Sequence, residues 1–178
     1  MISGNYIESG EEGIYVNSSR WSISNNVIYN VSNYGIRVAS ADITVTANVI
    51  DTITNYSGIA VSQVDITIAG NLIYNAGAHG IYINNARNTV TGNICYQNKR
   101  FGILLDDSAV RCIVSDNICF NNSQETSNTY DGIRLNNNSN NLIKGNFCFD
   151  NQDSPTQRYA IAEAGTADGN YIINNRVE

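Results

Sequence analysis

A single histidine and a scatter of arginines and carboxylates are the residues of this chain whose types could support proton transfer. His79 is its only ordinary side-chain base near neutral pH. Removing a carbon-bound proton beside a carboxylate needs such a base and also a cation that neutralises the developing charge. We therefore predict His79 or Tyr82 as the base and Arg37 or Lys99 as the cation, and Asp106 completes the candidate catalytic set.

Other charged and aromatic side chains in nearby stretches of sequence are candidates for holding a ligand. The predicted binding residues are Lys99, Arg100, Asp131, Arg134, Tyr74 and Tyr96. The alternative is that these residues have no chemical role, since a lone histidine directly before a glycine, as in "AGAHGIYI", is more often structural than catalytic.

Three of the four cysteines occur in matched phrases, "GNICYQN", "DNICFNN" and "GNFCFDN". Zinc binding requires thiolates that converge on one ion at about 2.3 Å, and a disulfide requires Cβ vectors that face each other. Cysteines at equivalent positions of a repeat project side by side instead. We therefore predict that Cys95, Cys119 and Cys148 are buried as small apolar residues, as is Cys112, and we predict no metal site.

The cysteine phrases are part of a repeat that runs along the whole chain. One asparagine recurs at intervals of 21, 22, 23, 22, 24, 29 and 29 residues. The repeated asparagines are Asn5, Asn26, Asn48, Asn71, Asn93, Asn117, Asn146 and Asn175. A β-branched residue lies three positions before each of them, and a phrase such as "GIYV" or "GIRL" follows in most repeats. Short β-branched runs separated by Asn, Gly and Ser turns are typical of strands.

The period of the repeat predicts the fold. Intervals of 21 to 24 residues also occur in leucine-rich repeats, but this chain has too few leucines for that pattern. We predict an all-β fold, a single-stranded right-handed parallel β-helix of about eight coils, as one domain over residues 1–178. Because the repeat continues to both ends, we expect the chain to be a segment of a longer protein.

The repeated asparagine is expected to turn the chain at a corner of each coil. Asparagine tolerates the left-handed backbone of a sharp bend, and its amide can bond the equivalent amide of the next coil. Stacked coils would then form a ladder of asparagine side chains. The alternative is a row of asparagines that binds sugar.

Alternation within the short strands assigns inward and outward positions. The residues three before and two after each asparagine are expected inside, together with the Ile and the Val or Leu of each Gly-Ile phrase. The residues one and three after each asparagine then form an apolar outer stripe, which includes Tyr74, Tyr96, Phe120 and Phe149. Such a stripe usually marks an interface. Three occupants are open: other subunits of a homo-oligomer such as a trimer, a covering segment, or sugar rings.

Two longer intervals near the end of the chain indicate loops. Residues 121–131 and 150–159 are both inserted between the asparagine phrase and the Gly-Ile phrase. They are therefore expected on the same side of the solenoid, where insertions often form a binding face. Plain surface loops are the equal alternative.

Charge and hydropathy exclude two classes of partner. A net charge of −6 and ten scattered basic residues do not suit a nucleic-acid backbone, which needs clustered Lys and Arg. No stretch approaches the roughly 18 apolar residues of a membrane span, so no membrane partner is predicted. The opening residues also lack the features of a signal peptide.

The "N-x-I" and "G-I-x-V" repeats resemble those of the pectate-lyase-like superfamily of right-handed parallel β-helix proteins, over essentially all 178 residues. That superfamily includes polysaccharide lyases, hydrolases, mannuronan C5-epimerases, phage tailspikes and adhesins. The resemblance implies a polysaccharide or surface glycan as partner, uronate lyase or epimerase chemistry for the candidate residues, and an extracellular, cell-surface or virion location. The alternative is the non-catalytic shaft of a tailspike, adhesin or surface protein.

The chain departs from the catalytic members of that superfamily. Mannuronan epimerases of this fold carry an Asp-Pro-His stretch, whereas Ala-Gly-Ala precedes His79 here. Calcium-dependent pectate lyases use clustered acidic residues and an arginine, and only Asp106 and Asp107 are similar. We therefore expect no cofactor, with calcium as the one alternative.

Overall fold

The computed structural model describes residues 1–178, which form 23 short strands joined by turns and loops. The strands fall into three sheets, and every pairing between neighbouring strands is parallel. Each coil contributes one strand to each sheet in turn, so the sheets run the length of the solenoid. The all-β prediction of about eight coils is confirmed, since two sheets have eight strands and the third has seven. No helix is long and apolar enough to cross a membrane.

The three sheets are named here by their order in each coil. Sheet A consists of β1 (Ile2–Ser3), β4 (Ser22–Ser24), β7 (Thr44–Thr46), β10 (Thr67–Ala69), β13 (Thr89–Thr91), β16 (Ile113–Ser115), β19 (Leu142–Lys144) and β22 (Tyr171–Ile173). Sheet B consists of β2 (Tyr6–Glu8), β5 (Val27–Val31), β8 (Val49–Ile53), β11 (Leu72–Ala76), β14 (Ile94–Tyr96), β17 (Ile118–Phe120), β20 (Phe147–Phe149) and β23 (Arg176–Val177). Sheet C consists of β3 (Glu12–Val16), β6 (Tyr34–Val38), β9 (Ile59–Val61), β12 (Ile81–Ile83), β15 (Ile103–Asp106), β18 (Ile133–Asn136) and β21 (Ile161–Ala164).

The repeated asparagines form a ladder at the corner between sheets A and B. The backbone N–H and side-chain Nδ2 of Asn48 both donate to Oδ1 of Asn71, at 3.0 and 2.9 Å. The same pair of bonds links every neighbouring asparagine of the repeat, from Asn5 to Asn175. The predicted ladder is therefore confirmed, and it satisfies polar groups that are buried in the middle coils.

The left-handed residue at this corner lies one position earlier than predicted. The residues before the repeated asparagines all have positive φ, between 53° and 69°. They are Gly4, Asn25, Ala47, Gly70, Gly92, Asp116, Gly145 and Asn174. The prediction that the repeated asparagine itself adopts this conformation is wrong. The bend is made by the preceding residue, which in most coils is Gly, Asn or Asp, residue types that tolerate left-handed backbone. The repeated asparagine that follows directs its amide into the ladder.

The core lies between the three sheets and follows the predicted inward positions. Ile68 of sheet A, Ile73 of sheet B and Ile81 of sheet C are all completely buried. Cys95, Cys119 and Cys148 continue the column of Ile73 in register, are completely buried and form no disulfide. Cys112 is buried as well. The cysteines therefore serve as small core residues, as predicted.

Candidate functional site

A groove runs across the outer face of sheet C, parallel to the axis of the solenoid. Three adjoining recesses compose it, with volumes of about 330, 260 and 120 Å³. The two larger recesses share His79, Arg100, Leu104 and Asp106. Tyr82 joins the largest recess to the smallest. Because three recesses adjoin here and share polar and aromatic side chains, this groove is the candidate functional site.

The glycines of the Gly-Ile phrases build the edge of this groove by bringing successive coils close together. A Cβ atom on Gly80 would lie 2.6 Å from the carbonyl oxygen of Gly102, closer than any real Cβ contact. The other glycines of this column are equally tight, at 2.5 to 2.9 Å. A side chain is therefore excluded there, and the residue just before each glycine supplies the edge. In four successive coils those residues are Tyr34, Ser57, His79 and Phe101, and in the fifth the position holds the buried Asp131.

His79 lies at the centre of the groove with its ring near two aromatic side chains. The ring centroids of Phe101 and Tyr82 lie 5.3 and 5.8 Å from the imidazole, and the planes are nearly parallel. Its Nδ1 atom is buried without a hydrogen-bond partner. Burial, with the nearby positive charge of Arg100, lowers the pKa of His79 to about 3, although Glu125 opposes the shift. The imidazole is therefore uncharged at neutral pH and only weakly basic.

Tyr82 and Asp106 form a hydrogen-bonded pair beside His79. The Tyr82 hydroxyl donates to Oδ2 of Asp106 at 3.2 Å, and Asn136 Nδ2 donates to the other carboxylate oxygen at 2.8 Å. Burial, reinforced by the charge of Asp106, raises the pKa of Tyr82 to about 12. Tyr82 consequently keeps its proton at neutral pH, which favours the role of hydrogen-bond donor over that of base.

Two of the predicted cations line the groove and are each held by one carboxylate. Arg37 contacts Glu12 at 3.0 Å, and its guanidinium lies 5.4 Å from the ring centroid of Tyr34. Arg100 contacts Glu125 at 2.9 Å. These contacts fix the orientation of both guanidinium groups, whose remaining donors are available to a ligand.

Arg134 and Asp131 also belong to this region. Arg134 lines the recess next to His79, and its guanidinium lies 5.8 Å from the ring centroid of Phe101. Asp131 is completely buried behind it and accepts a hydrogen bond from Arg134 Nη1 at 2.9 Å. Asp131 thus holds another residue of the groove and does not itself line it.

The structure separates Lys99 from His79. Lys99 is exposed and lines a different recess of about 310 Å³, together with Asn75, Gln97 and Gln124. Of the predicted cations, Arg37, Arg100 and Arg134 are therefore the ones that share the groove.

Tyr74 and Tyr96 lie on sheet B, where they begin a column of stacked rings with Phe120 and Phe149. The centroids of successive rings are 4.9 Å apart, and the planes differ by only 3° to 11°. The outward orientation predicted for this stripe is confirmed by its partial exposure. Because the rings cover one another's faces, a sugar could meet only their edges. Packing of subunits through the stripe stays a prediction.

Acidic side chains near the groove are engaged by neighbouring amides. Asp107 Oδ1 accepts a hydrogen bond from Asn137 Nδ2 at 3.1 Å, and Asp106 accepts one from Asn136. At no place do three histidine, cysteine, aspartate or glutamate side chains come together in a way that could hold a metal ion.

The aromatic walls of the groove were not predicted from the sequence. Tyr34 and Tyr56 stack with their centroids 4.9 Å apart, and Tyr130 meets Phe101 edge to face at 5.1 Å. Ala60 and Leu104, which lie between the two inward residues of their Gly-Ile phrases, form a covered floor between these walls. The column immediately before the repeated glycines, which reads Tyr, Ser, His, Phe and Asp in successive coils, was the signal that could have located the groove.

Solved structures with similar folds include alginate epimerases and phage tailspikes. The A-module of mannuronan C-5 epimerase AlgE4 from Azotobacter vinelandii matches with a TM-score of 0.81 and 19% identity, covering 97% of this chain and 53% of the module. Tailspike protein 2 of Escherichia coli O157:H7 bacteriophage CAB120 matches with a TM-score of 0.70 and 17% identity, covering 99% of this chain and 24% of the tailspike. A tailspike variant of E. coli bacteriophage HK620, in complex with a pentasaccharide, gives a TM-score of 0.72 and 13% identity, covering 97% and 41%.

This likeness, at such low identity, establishes the fold. The chain spans about half the length of the epimerase module and less of either tailspike. No curated protein matches the sequence. The family model for the right-handed β-helix region matches residues 12–177, which is nearly the whole chain. The chain therefore belongs to the right-handed β-helix family.

Proposed function

We propose that the chain binds a polysaccharide in the groove across sheet C. The observation that carries this proposal is the convergence of aromatic rings and polar groups in one concave surface. Tyr82, Asp106 and Arg100 offer a hydroxyl, a carboxylate and a guanidinium within a single recess of about 330 Å³. A ligand site of this kind combines apolar walls with a few placed polar groups. The HK620 tailspike, seen with a pentasaccharide, supports a glycan as ligand.

The length of the groove suits a polymer better than a single sugar. Its floor and rim follow one column of sheet C, in which Arg37, Ala60, Tyr82, Leu104 and Arg134 are paired in register. Neighbouring strands lie about 4.8 Å apart, so the two arginines at the ends are separated by about 19 Å. Several consecutive sugars of a chain lying parallel to the solenoid axis fit this span.

Binding to a panel of acidic and neutral polysaccharides tests the proposal, with two tyrosine variants as a matched pair. Tyr82→Ala removes a hydroxyl and a ring from the groove, whereas Tyr74→Ala removes a stacked tyrosine from sheet B. We expect Tyr82→Ala to weaken binding at least about tenfold, which is about 1.4 kcal/mol, and Tyr74→Ala to leave it unchanged. Failure of the unmodified protein to bind any member would favour the structural shaft instead.

A second candidate function is lyase or epimerase action on a uronate polymer. The observation that favours it is that an uncharged imidazole, a tyrosine hydroxyl and an arginine meet in one recess, as His79, Tyr82 and Arg100. In a lyase reaction, His79 would take the proton beside the carboxylate, Arg100 would neutralise that carboxylate, and the Tyr82 hydroxyl would protonate the glycosidic oxygen as its bond to the sugar breaks. In an epimerisation, Tyr82 would instead return a proton to the opposite face of the same carbon. The similarity to an alginate-modifying epimerase fold supports uronates as the polymers to try.

Absorbance of unsaturated products tests the lyase reaction on uronate polymers, with and without calcium. Epimerisation leaves no double bond and is followed by NMR of the polymer. Activity that disappears in His79→Phe, a variant that keeps an aromatic ring next to Tyr82 and Phe101, would support the reaction. Unchanged polymers in both assays would remove this second candidate while leaving polysaccharide binding intact.

A further inference from the structure

Arg134 differs from the other arginines of the groove in its balance of charge. Arg37 and Arg100 are each paired with one carboxylate. Arg134 instead shares the carboxylate of Asp131 with Arg158. Two guanidinium groups on one carboxylate leave a net positive charge at this end of the groove.

The contacts of Asp131 show how that charge is distributed. Arg158 occupies the carboxylate with two donors, Nε to Oδ1 at 3.0 Å and Nη2 to Oδ2 at 2.9 Å. Arg134 gives it only Nη1, and its other donors form no hydrogen bond within the protein. A guanidinium has five N–H donors in a planar fork that matches an anionic oxygen group. Arg134 thus keeps more free donors than Arg158, and it lines the recess beside His79, which Arg158 does not.

Arg158 belongs to the second insert and does not line the recess. Its backbone N–H donates to the carbonyl of Tyr130 at 2.7 Å, which ties the second insert to the first. The insert is folded around Asp150, whose carboxylate accepts the backbone N–H groups of Thr156 and Gln157 at 2.8 Å. Burial raises the pKa of Asp150, but these backbone donors together lower it more, so that the pKa lies below its ordinary value. Arg158 is therefore delivered to Asp131 by a defined loop.

Asp106 provides the opposite charge in the same recess. Its hydrogen-bond partner Asn136 lies two residues beyond Arg134 on β18, which is about 7 Å along the strand. The recess consequently has a negative and a positive end. An anionic substituent of a bound sugar is directed toward Arg134 and away from Asp106.

We infer that the Arg134 end of the groove is a subsite for an anionic substituent, a carboxylate or a sulfate ester, and that Arg158 determines this specificity without touching the ligand. Arg158 does so by engaging Asp131, so that Asp131 no longer neutralises Arg134. The inference rests on the proposed binding of a polysaccharide in this groove. The insert 150–159 would then have the role of placing Arg158 against Asp131, beyond connecting two strands.

Calorimetric titration with three oligosaccharides of equal length tests the inference. The probes are an oligogalacturonate, its carboxyl-reduced neutral form, and a sulfated neutral oligomer. We expect the protein to prefer one or both acidic probes about tenfold over the neutral one. Arg158→Gln should abolish that preference, because Asp131 then pairs one-to-one with Arg134, and Arg158→Lys should largely keep it.

Matched controls keep the test sharp. In both Arg158 variants Asp131 keeps Arg134 as a basic partner, so its buried carboxylate is not left unpaired. Unfolding midpoints of the variants show whether they are folded. Arg87→Gln removes an exposed arginine paired with Asp65 and should change nothing. Equal binding of acidic and neutral probes, or a preference that survives in Arg158→Gln, overturns the inference but leaves the proposed binding of a polysaccharide in the groove intact. No binding of any probe overturns the proposed function and the inference together.

Discussion

His79 shows how a single residue can reveal a requirement beyond folding. Its buried Nδ1 has no hydrogen-bond partner, and a buried polar atom of this kind costs about 1–3 kcal/mol. The equivalent position of the next coil holds Phe101, whose ring stacks next to the imidazole and carries no polar atom. A ring needed only for packing would be better served by phenylalanine. The histidine therefore favours a role in the groove.

The pKa of His79 gives a stability prediction at this scale. Burial lowers that pKa from 6.5 to about 3. Between these two pH values His79 is protonated in the unfolded chain and remains unprotonated in the folded protein. The associated stability is present above about pH 6.5 and is lost as the pH falls toward 3. We expect His79→Phe to be more stable than the unmodified protein by about 1 kcal/mol at neutral pH, and by about 1–2 kcal/mol more near pH 5.

Urea unfolding at several pH values measures this difference directly. The difference between the two proteins isolates His79 from the carboxylates that titrate in both. A constant difference in free energy of unfolding between neutral pH and pH 5 would show that His79 protonates freely in the folded state. A less stable phenylalanine variant would show that Nδ1 has a partner in solution.

At the scale of elements, the asparagine ladder joins coil to coil. In the middle of the ladder, Asn93 Oδ1 accepts two hydrogen bonds from Asn71. Its Nδ2 donates to Asn117 at 2.9 Å and to the carbonyl of Ile68 at 3.0 Å. Each asparagine in the middle of the ladder therefore connects three coils, and the loss of one such side chain leaves polar groups without partners in the coils on both sides.

We expect Asn93→Ala to destabilise the protein by about 3 kcal/mol or more, because buried donors of Asn71 lose their acceptor. Asn175→Ala is the matched control, since Asn175 is the last residue of the ladder and its surroundings are open to water. The control should cost about 1 kcal/mol. Thermal or urea unfolding measures both, and equal losses would mean that the ladder does not act through buried hydrogen bonds.

Much of the element scale follows from the sequence. The period-2 pattern and the recurring asparagine predict Ile68, Ile73 and Cys95 in the core, and all three are completely buried. The left-handed residue was misplaced by one position because Gly, Asn, Ala and Asp alternate there, so no single residue type marked it. A recurring asparagine is equally compatible with a bend and with a ladder, and only the backbone conformation separates the two.

At the scale of the whole molecule, some site residues that were grouped from the sequence lie together in the structure, and others are separated. His79, Tyr82 and Asp106 share the groove because they occupy the same face in adjacent coils. Lys99 is adjacent to Arg100 in sequence but lies in another recess. Both fall in the turn between sheets B and C, where the chain is not extended and alternation no longer predicts direction.

The two inserts give the solenoid its asymmetry. Gln124 of the first insert donates to Thr156 of the second at 3.0 Å, so the loops pack side by side as predicted. They also supply Glu125, Tyr130 and Asp131, which hold or flank the groove arginines. A uniform shaft would have no need for loops that orient charged side chains, which favours polysaccharide binding over a purely structural role.

The most direct test of the account is to map ligand contacts by NMR on this protein of 19.4 kDa. Amide chemical shifts are followed during titration with the polysaccharide fragment that binds best. We expect the shifts to concentrate on β9, β12, β15 and β18 and around His79, with the stacked rings of Tyr74 and Tyr96 unaffected. Shifts confined to the sheet B stripe, or none at saturating ligand, would contradict a polysaccharide site in the groove.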